Sequence, residues 1–226
     1  MLRRLLQTNL NHSAGAQDLF RQTLAERQIE LAVAAEPYCA LQGWLEGEDG
    51  SVAMVGGGGP HPLPFMPKGR GEGFVAAKWG ETVVVGVYSS PNGTLPQLEQ
   101  LLGRVGAIVI ASHPSPVIVA GDFNAKSALS SPVTDARGGV VADWANEHGL
   151  EVLNRGSSLT CVRHNRGSIV DLTFGTPAAA RMVSGRWRVL ERALTLSDHR
   201  YILMDVSDPS CGASTVGPSR KSAPPT

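Results

Sequence analysis

Apolar runs of strand length recur along this chain, and several of them meet a side chain that is expensive to bury. Leu2–Leu10 ends at Asn9, Ile29–Ala35 runs into Glu36, and Pro116–Ala120 is followed at once by Gly121-Asp122-Phe123-Asn124. Asp171 sits inside Ile169–Phe174, and Asp198-His199 precedes Tyr201–Val206. A carboxylate beside Val and Ile is costly unless it is paired, hydrogen-bonded or bound to a metal. One such residue reads as a cap or turn. Four of them, at the boundaries of apolar strands, are reconciled if the strand ends converge on one rim, where their repulsion calls for a cation. Oxygen donors with a single histidine nearby point to Mg²⁺ or Mn²⁺ rather than zinc.

The remaining pattern sets the fold class. Ser13 caps a predicted helix over Gly15–Gln28, whose apolar positions Ala16, Leu19, Phe20 and Leu24 have helical spacing. Leu95–Ile110 reads as a helix with Leu95, Leu98, Leu102, Val105 and Val109 on one face, and Val140–His148 as a shorter one. Strands are predicted at Val75–Trp79 and Thr82–Tyr88, around the turn Gly80-Glu81, and at Leu150–Leu153, Ser158–Val162 and Trp187–Leu190. Gly56–Gly73, rich in Gly and Pro, reads as a loop or open hairpin end. Tight turns make much of the pairing antiparallel. The expected fold is α/β (α+β): a four-layer sandwich of two mixed, largely antiparallel β-sheets packed face to face, with helices outside. Residues 1–206 are expected to form the domain and 207–226 a disordered tail or a linker.

Composition excludes some functions. Twenty basic residues balance twenty acidic ones, which argues against a histone-like protein or a polybasic tail that binds its partner by charge alone. The balance is uneven, however: residues 1–150 hold ten basic and fourteen acidic residues, residues 151–226 ten and six. Cys39, Cys161 and Cys211 have no zinc or disulfide spacing, and free thiols are expected. No apolar run approaches a membrane span, and Met1–Leu10 lacks a signal-peptide core, so an intracellular, non-secreted protein without a membrane partner is expected.

Val119-Ala120-Gly121-Asp122-Phe123-Asn124-Ala125 resembles the G-D-F-N motif of the endonuclease/exonuclease/phosphatase superfamily, and Leu196-Ser197-Asp198-His199 its terminal S-D-H motif. Asn9, Glu36, the Val87-Tyr88 strand end and Val170-Asp171 fall in the family's order, so the resemblance covers about residues 4–206. Asn124-Ala125-Lys126-Ser127, Asp135-Ala136-Arg137-Gly138 and Gly149-Leu150-Glu151-Val152-Leu153-Asn154 narrow it further. They resemble endonuclease domains of non-LTR (LINE-type) retrotransposons, in particular arthropod elements that insert at fixed sites. The resemblance implies a DNase I-like fold and a Mg²⁺-dependent (or Mn²⁺-dependent) DNA endonuclease. Such an enzyme nicks one strand of a duplex target and leaves a 3′-hydroxyl for target-primed reverse transcription by a reverse transcriptase domain of the same polyprotein, in the nucleus. It implies Glu36, Asn9 and Asp198 on the metal side. Asp122 would be the general base, with His199 as donor to the phosphate, Asp171 as its support, and Tyr88 and Asn124 as neutral donors. Two departures stand out. Repair members commonly carry N-x-D where this chain has Asn9-Leu10-Asn11, and Leu129-Ser130-Ser131 falls where related retrotransposon domains often have Trp-Gly.

Thr160–Ile169 reads as a β-hairpin with its tip at Asn165-Arg166-Gly167. The candidate DNA contacts are Arg155, Thr160, Arg163, Arg166 and Ser197, because arginine forks suit phosphates and guanine edges. His12, His61, His113 and His148 read as isolated, and Trp44, Trp79, Trp144 and Trp187 as packing residues. Gly56–Gly59 lacks the Lys of a P-loop, and Gly69–Gly73 lacks dinucleotide spacing. The alternatives are an abasic-site repair endonuclease, another phosphodiesterase or inositol-phosphate phosphatase of the superfamily, or a catalytically silent DNA-binding module.

Overall fold

The computed structural model describes residues 2–58, 63–126, 134–163, 166–183 and 185–207. The elements in chain order are β1 (Leu2–Asn9), α1 (Ala14–Glu26), β2 (Leu31–Ala35), β3 (Leu45–Glu46), β4 (Val52–Gly56), β5 (Phe65–Gly71), β6 (Phe74–Trp79), β7 (Thr82–Tyr88), α2 (Leu95–Ala111), β8 (Val117–Asp122), α3 (Ala136–Glu147), β9 (Glu151–Val152), β10 (Cys161–Arg163), β11 (Arg166–Ser168), β12 (Asp171–Gly175), α4 (Pro177–Val183), β13 (Trp187–Val189) and β14 (Ile202–Ser207).

Two six-stranded sheets form, in the orders β13-β14-β1-β2-β4-β3 and β5-β6-β7-β8-β12-β9, with β10-β11 as a separate hairpin. Each large sheet contains one parallel pair joined through a helix, β1-α1-β2 in the first and β7-α2-β8 in the second, and every other pairing is antiparallel. Leu5, Leu31, Val33 and Met54 of the first sheet meet Val75, Val84, Ile118 and Ala120 of the second in a core between the sheets. The outer face of the second sheet buries Leu98, Leu102 and Val105 of α2 and Val141 and Trp144 of α3. The outer face of the first buries Ala16, Phe20 and Leu24 of α1. The four layers expected from the sequence are therefore present.

Helix starts follow local chemistry. Ser13 caps α1 through Ala16 N–H, and Thr94 and Gln97 form a reciprocal capping box on α2. α3 begins four residues before the predicted Val140, because Asp135 accepts Gly138 N–H at 2.7 Å and starts the helix through Gly138-Gly139. Leu95 is 38% exposed, off the buried face of α2. The predicted loop at 56–73 is largely a strand. β5 lies at a sheet edge with a bulge between Pro67 and Gly69, positions that tolerate a residue without an N–H. β3, β4 and α4 were not foreseen. Residues 208–226, including Cys211, and Ser127, Leu129–Ser131, His61, Asn165 and Gly59 lie outside the described residues.

One close approach sets the spacing of two neighbouring strands, and one polar network fixes one sheet against the other. Gly121 approaches β7 so closely that a Cβ there would lie 1.8 Å from Val87 O. Gln7, fully buried, reaches across the core: its Nε2 donates to Gly121 O at 2.9 Å and Leu172 O at 3.2 Å, and its Oε1 accepts Thr173 Oγ1 at 2.9 Å. Trp187 Nε1 donates to Thr173 Oγ1 at 3.0 Å and completes the chain. A satisfied buried network of this kind fixes relative position where apolar packing alone allows slip.

Candidate active site

The parallel pairs bring the site together. Asn9 ends β1 beside Ala35, the residue before Glu36, and Tyr88 and Asp122 are register partners at the ends of β7 and β8. Asp171, the first residue of β12, is the register partner of Asp122 from the other side. His199 is held by an isolated bridge to Cys161, flanked by Val162 N–H to Asp198 O and Arg200 N–H to Thr160 O, both 2.8 Å. All six residues therefore face one rim of the sandwich.

Side-chain bonds tie them into one network. Asn9 Nδ2 donates to Glu36 Oε2 at 2.9 Å and to Asp122 Oδ2 at 3.0 Å. Its Oδ1 accepts Asn11 N–H at 2.7 Å, which identifies the oxygen end of the amide. Asn9 thus spaces the two carboxylates and turns its N–H groups, not its carbonyl, towards them. Tyr88 OH donates to Glu36 Oε1 at 2.6 Å. Asn124 donates its backbone N–H to Asp122 Oδ1 at 2.9 Å and its Nδ2 to Asp122 Oδ2 at 3.0 Å. His199 Nδ1 is 2.8 Å from Asp171 Oδ2, and His199 Nε2 is 3.9 Å from Asp122 Oδ2.

Burial sets the charge states. Burial alone would push the His199 imidazole down; the charge and hydrogen bond of Asp171, a bond with Cys161 and the charge of Asp122 outweigh it and raise the pKa to about 11. His199 is thus an imidazolium at neutral pH. Burial, with the Asp171 charge, lifts Asp122 to about 7, against the pull of His199 and the bonds from Asn124 and Asn9. Tyr88 is raised by burial and by Glu36 beside it, so its hydroxyl keeps its proton. Glu36 (φ 44°) and Asn124 (φ 45°) adopt left-handed backbone, as do Asn11, His12 and Leu196 in the adjoining loops. Strained non-glycine residues concentrate at functional rims.

Other predicted residues stand elsewhere. Asp198 is part exposed and pairs with Arg163, Nε to Oδ2 at 2.7 Å, instead of joining the acidic cluster. Thr160 is fully buried, so it cannot present itself to DNA; its Oγ1 accepts Asp171 N–H at 3.1 Å and Val170 N–H at 3.2 Å and so holds Asp171 from below. Ser197 Oγ donates to Asn9 O at 2.8 Å and accepts His199 N–H at 3.2 Å, linking the two ends of the site. Arg155, Arg163 and Arg166 are exposed, and Arg163 lies close enough for Glu36 to act on its charge.

Two residues were missed as site components. His12, read as isolated, has Nε2 3.5 Å from Glu36 Oε1. Arg137 donates Nε to Asn124 O at 2.9 Å, Nη1 to Gly93 O at 2.9 Å, and Nη2 to Ser89 Oγ at 2.6 Å and Phe123 O at 3.3 Å. It clamps the strained Asn124 turn to the loop after Tyr88. The sequence signal for it is an arginine one residue past the start of the helix that Asp135 caps, within reach of the loop after β8.

The donors suit a divalent cation. Among the described residues, Asp122, Asp171 and His199 bring ligand atoms within 4.8 Å of one another, and Asp171 Oδ1 is buried without a hydrogen-bond partner. Glu36 adds two more oxygens on the same rim. Carboxylate oxygens make a site for a hard divalent ion, and the protonated His199 ring stands beside it as a hydrogen-bond donor.

Two packed mixed sheets with this carboxylate and imidazolium rim define a hydrolytic nuclease of the endonuclease/exonuclease/phosphatase class with a DNase I-like fold. Residues 82–203 match the family described as endonuclease-reverse transcriptase, and the chain belongs to that family. Its structure is similar to the endonuclease domain of TRAS1, a telomere-specific non-LTR retrotransposon, with 27% identity, TM-score 0.77, and coverage of 92% of this chain and 99% of that one. The 3′–5′ exonuclease NExo from Neisseria meningitidis shares the fold at 17% identity and TM-score 0.65, covering 90% and 99% of the two chains. So does a Neisseria NExo 3′ phosphatase (D146N) bound to product DNA hairpin, also at 17% identity and TM-score 0.65, covering 91% and 99%. No curated protein matches the sequence.

Proposed function

We propose that this nuclease is a divalent-metal-dependent DNA endonuclease that nicks one strand of a duplex at a preferred target. The 3′-hydroxyl it leaves would prime a reverse transcriptase domain of the same polyprotein, and its work would be in the nucleus. The observation that carries the reading is the buried Asp171–His199 pair, with His199 Nε2 facing Asp122 on the rim where Glu36 stands. The TRAS1 likeness and the family description support DNA as the substrate class and a reverse transcriptase as the partner.

The geometry supports one set of roles. His199, protonated and aimed by Asp171, donates from Nε2 to a non-bridging phosphate oxygen. Asp122 takes the proton of the attacking water; its lifted pKa matches that task near neutral pH. Asn124 and Asn9 orient the Asp122 carboxylate, and Tyr88 OH spends its one hydrogen on orienting Glu36. Glu36 would hold Mg²⁺ or Mn²⁺, which when bound supplies Lewis-acid stabilisation of the leaving oxygen. Exposed Arg163 and Arg166, on the β10-β11 hairpin, contact the duplex, with Arg155 as a further phosphate contact.

The test is nicking of supercoiled plasmid with Mg²⁺, with Mn²⁺ and with EDTA. The expected result is nicked circles bearing polymerase-extendable 3′-ends, formed only with metal and lost in His199→Ala. Equal nicking by that variant, or none by the wild type with either ion, overturns the reading. Strong preference for abasic over intact DNA moves it to the repair alternative, against which Asn11 in place of an aspartate already stands.

A further inference from the structure

The turn after β1 is fastened to the Glu36 loop at two points and brings a third group into place. His12 N–H donates to Glu36 O at 2.9 Å. His12 Nδ1 lies 3.2 Å from Pro37 O, an atom that can only accept, so Nδ1 carries the ring hydrogen. That assigns the lone pair of the neutral ring to Nε2. Nε2 lies 3.5 Å from Glu36 Oε1, longer than a hydrogen bond between them would be. Oε1 already accepts the Tyr88 hydroxyl at 2.6 Å. A nitrogen lone pair and a carboxylate oxygen thus face a shared space, with the His12 side chain 63% exposed and the Glu36 side chain 19% exposed to solvent.

Two lone-pair donors held in this way suit a cation between them. Adjacent ligands on an octahedral ion with bonds of ~2.1 Å lie about 3 Å apart, so a small movement of the exposed ring closes the gap. The position matters because Asn9 turns its amide nitrogen, not its carbonyl oxygen, to the carboxylates. The rim is short of a donor on the β1 side, and His12 supplies one.

We infer that His12 Nε2 is a ligand of the divalent cation beside Glu36, and that it biases the site towards Mn²⁺ over Mg²⁺. The inference rests on the metal-dependent reading above. A fixed imidazole tautomer, with Nδ1–H on a backbone carbonyl, is the usual preparation of a metal-binding histidine. Nitrogen donors favour later divalent ions over the hard Mg²⁺.

The experiment is Mn²⁺ titration of the full chain, followed by electron paramagnetic resonance. Loss of the free-ion signal counts binding, and spin-echo envelope modulation reads nitrogen coupled to the bound ion. Wild type is expected to bind Mn²⁺ with nitrogen coupling that persists in His199→Gln and disappears in His12→Gln. Mn²⁺ affinity should fall on the order of tenfold in His12→Gln, while calorimetric Mg²⁺ affinity changes by less than about threefold. His12→Gln leaves an exposed position polar, and circular dichroism confirms its fold. Binding without nitrogen coupling, or coupling retained in His12→Gln, overturns the ligand assignment alone. Equal loss for both ions overturns the Mn²⁺ bias. No Mn²⁺ binding by the wild type overturns the inference and the metal-dependent reading together.

Discussion

Asp171 Oδ2 and His199 Nδ1 lie 2.8 Å apart at the bottom of the site, with both side chains almost wholly out of solvent. Burial works against a charged imidazole, and Asp171 is the largest influence opposing it. Removing that charge while keeping the shape therefore lowers the His199 pKa towards its ordinary value. In wild type, plasmid nicking should rise with pH as Asp122 ionises and then stay level from about pH 8 to pH 10. Asp171→Asn should bring in a falling limb near neutrality, as His199 loses its proton. The pH–rate profiles of the two proteins check this; parallel profiles would remove His199 as the phosphate donor.

The same shift makes the metal-free fold pH-sensitive. Below about pH 6.5 His199 is protonated in both the folded and unfolded chain. Between about 6.5 and about 11 only the folded chain keeps the proton, so the stabilisation is full below the lower value and is lost as pH rises through the upper one. Asp122, lifted from 3.8 to about 7, adds a fall in stability between those values, because the unfolded chain releases its proton first. In EDTA the thermal midpoint should decline as pH rises from about 7 to about 10, and His199→Gln should flatten that decline. Differential scanning fluorimetry across the range is the measurement.

Arg137 is a positioning residue whose bonds all go to loop atoms around Asp122. Hydrogen bonds from a charged donor are worth about 1.5–3 kcal/mol each, and they share one guanidinium here. Arg137→Ala should destabilise by about 2–4 kcal/mol and lower kcat more than it raises KM, since Asn124 is released while the DNA face is untouched. Arg137→Lys reaches fewer of the four acceptors and should recover only part of the loss. A change confined to KM would point to direct DNA binding by this side chain instead.

The strand-end carboxylates were legible because burial energetics act locally: Glu36, Asp122 and Asp171 each interrupt an apolar run. Their convergence was legible only through the order of the motifs. What the sequence hid depends on which strand end meets which. Asp198 follows the S-D-H pattern, yet the β10-β11 hairpin brings Arg163 against it and removes it from the acidic cluster. Thr160 looks like a hairpin residue free to meet DNA, but the backbone of β12 takes its hydroxyl. His12 joins Glu36 only because β1 and β2 are parallel neighbours, so that chain segments far apart in sequence end side by side. β5 was masked by Gly and Pro, which an edge strand with a bulge accommodates.

The β10-β11 hairpin offers a separable test of DNA binding. Arg166 and Arg163 are register partners on it, and Arg163 is held by Asp198 beside the site. Removing one arginine that neutralises a phosphate should make the slope of log affinity against log salt shallower by about 0.9. Arg166→Ala should do so while leaving the thermal midpoint unchanged, as expected for an exposed side chain. Asp198→Asn should loosen Arg163 and scatter the positions of nicks on a preferred duplex more than it weakens binding. Filter binding at several salt concentrations and sequencing of nick positions read the two effects. An unchanged slope and unchanged nick pattern would remove the hairpin from the DNA interface.

Gly121 carries the last prediction, because it joins the fold to the chemistry. It precedes Asp122 in β8, beside Val87 of β7, and its own carbonyl receives Gln7 from the opposite sheet. A Cβ at this position would stand 1.8 Å from Val87 O and 2.7 Å from Val87 C, backbone atoms that cannot turn aside. Relief requires β7 and β8 to separate, which moves Tyr88 and Asp122 apart and strains the Gln7 bridge. Gly121→Ala should therefore destabilise by about 3 kcal/mol or more, lowering the thermal midpoint by roughly 6–12 °C. Gly139→Ala, in α3 with nothing within 4 Å of the added carbon, is the control and should keep or raise the midpoint. If Gly121→Ala melts with the wild type and nicks at its rate, the close approach of β7 and β8 is not what sets the spacing of the site.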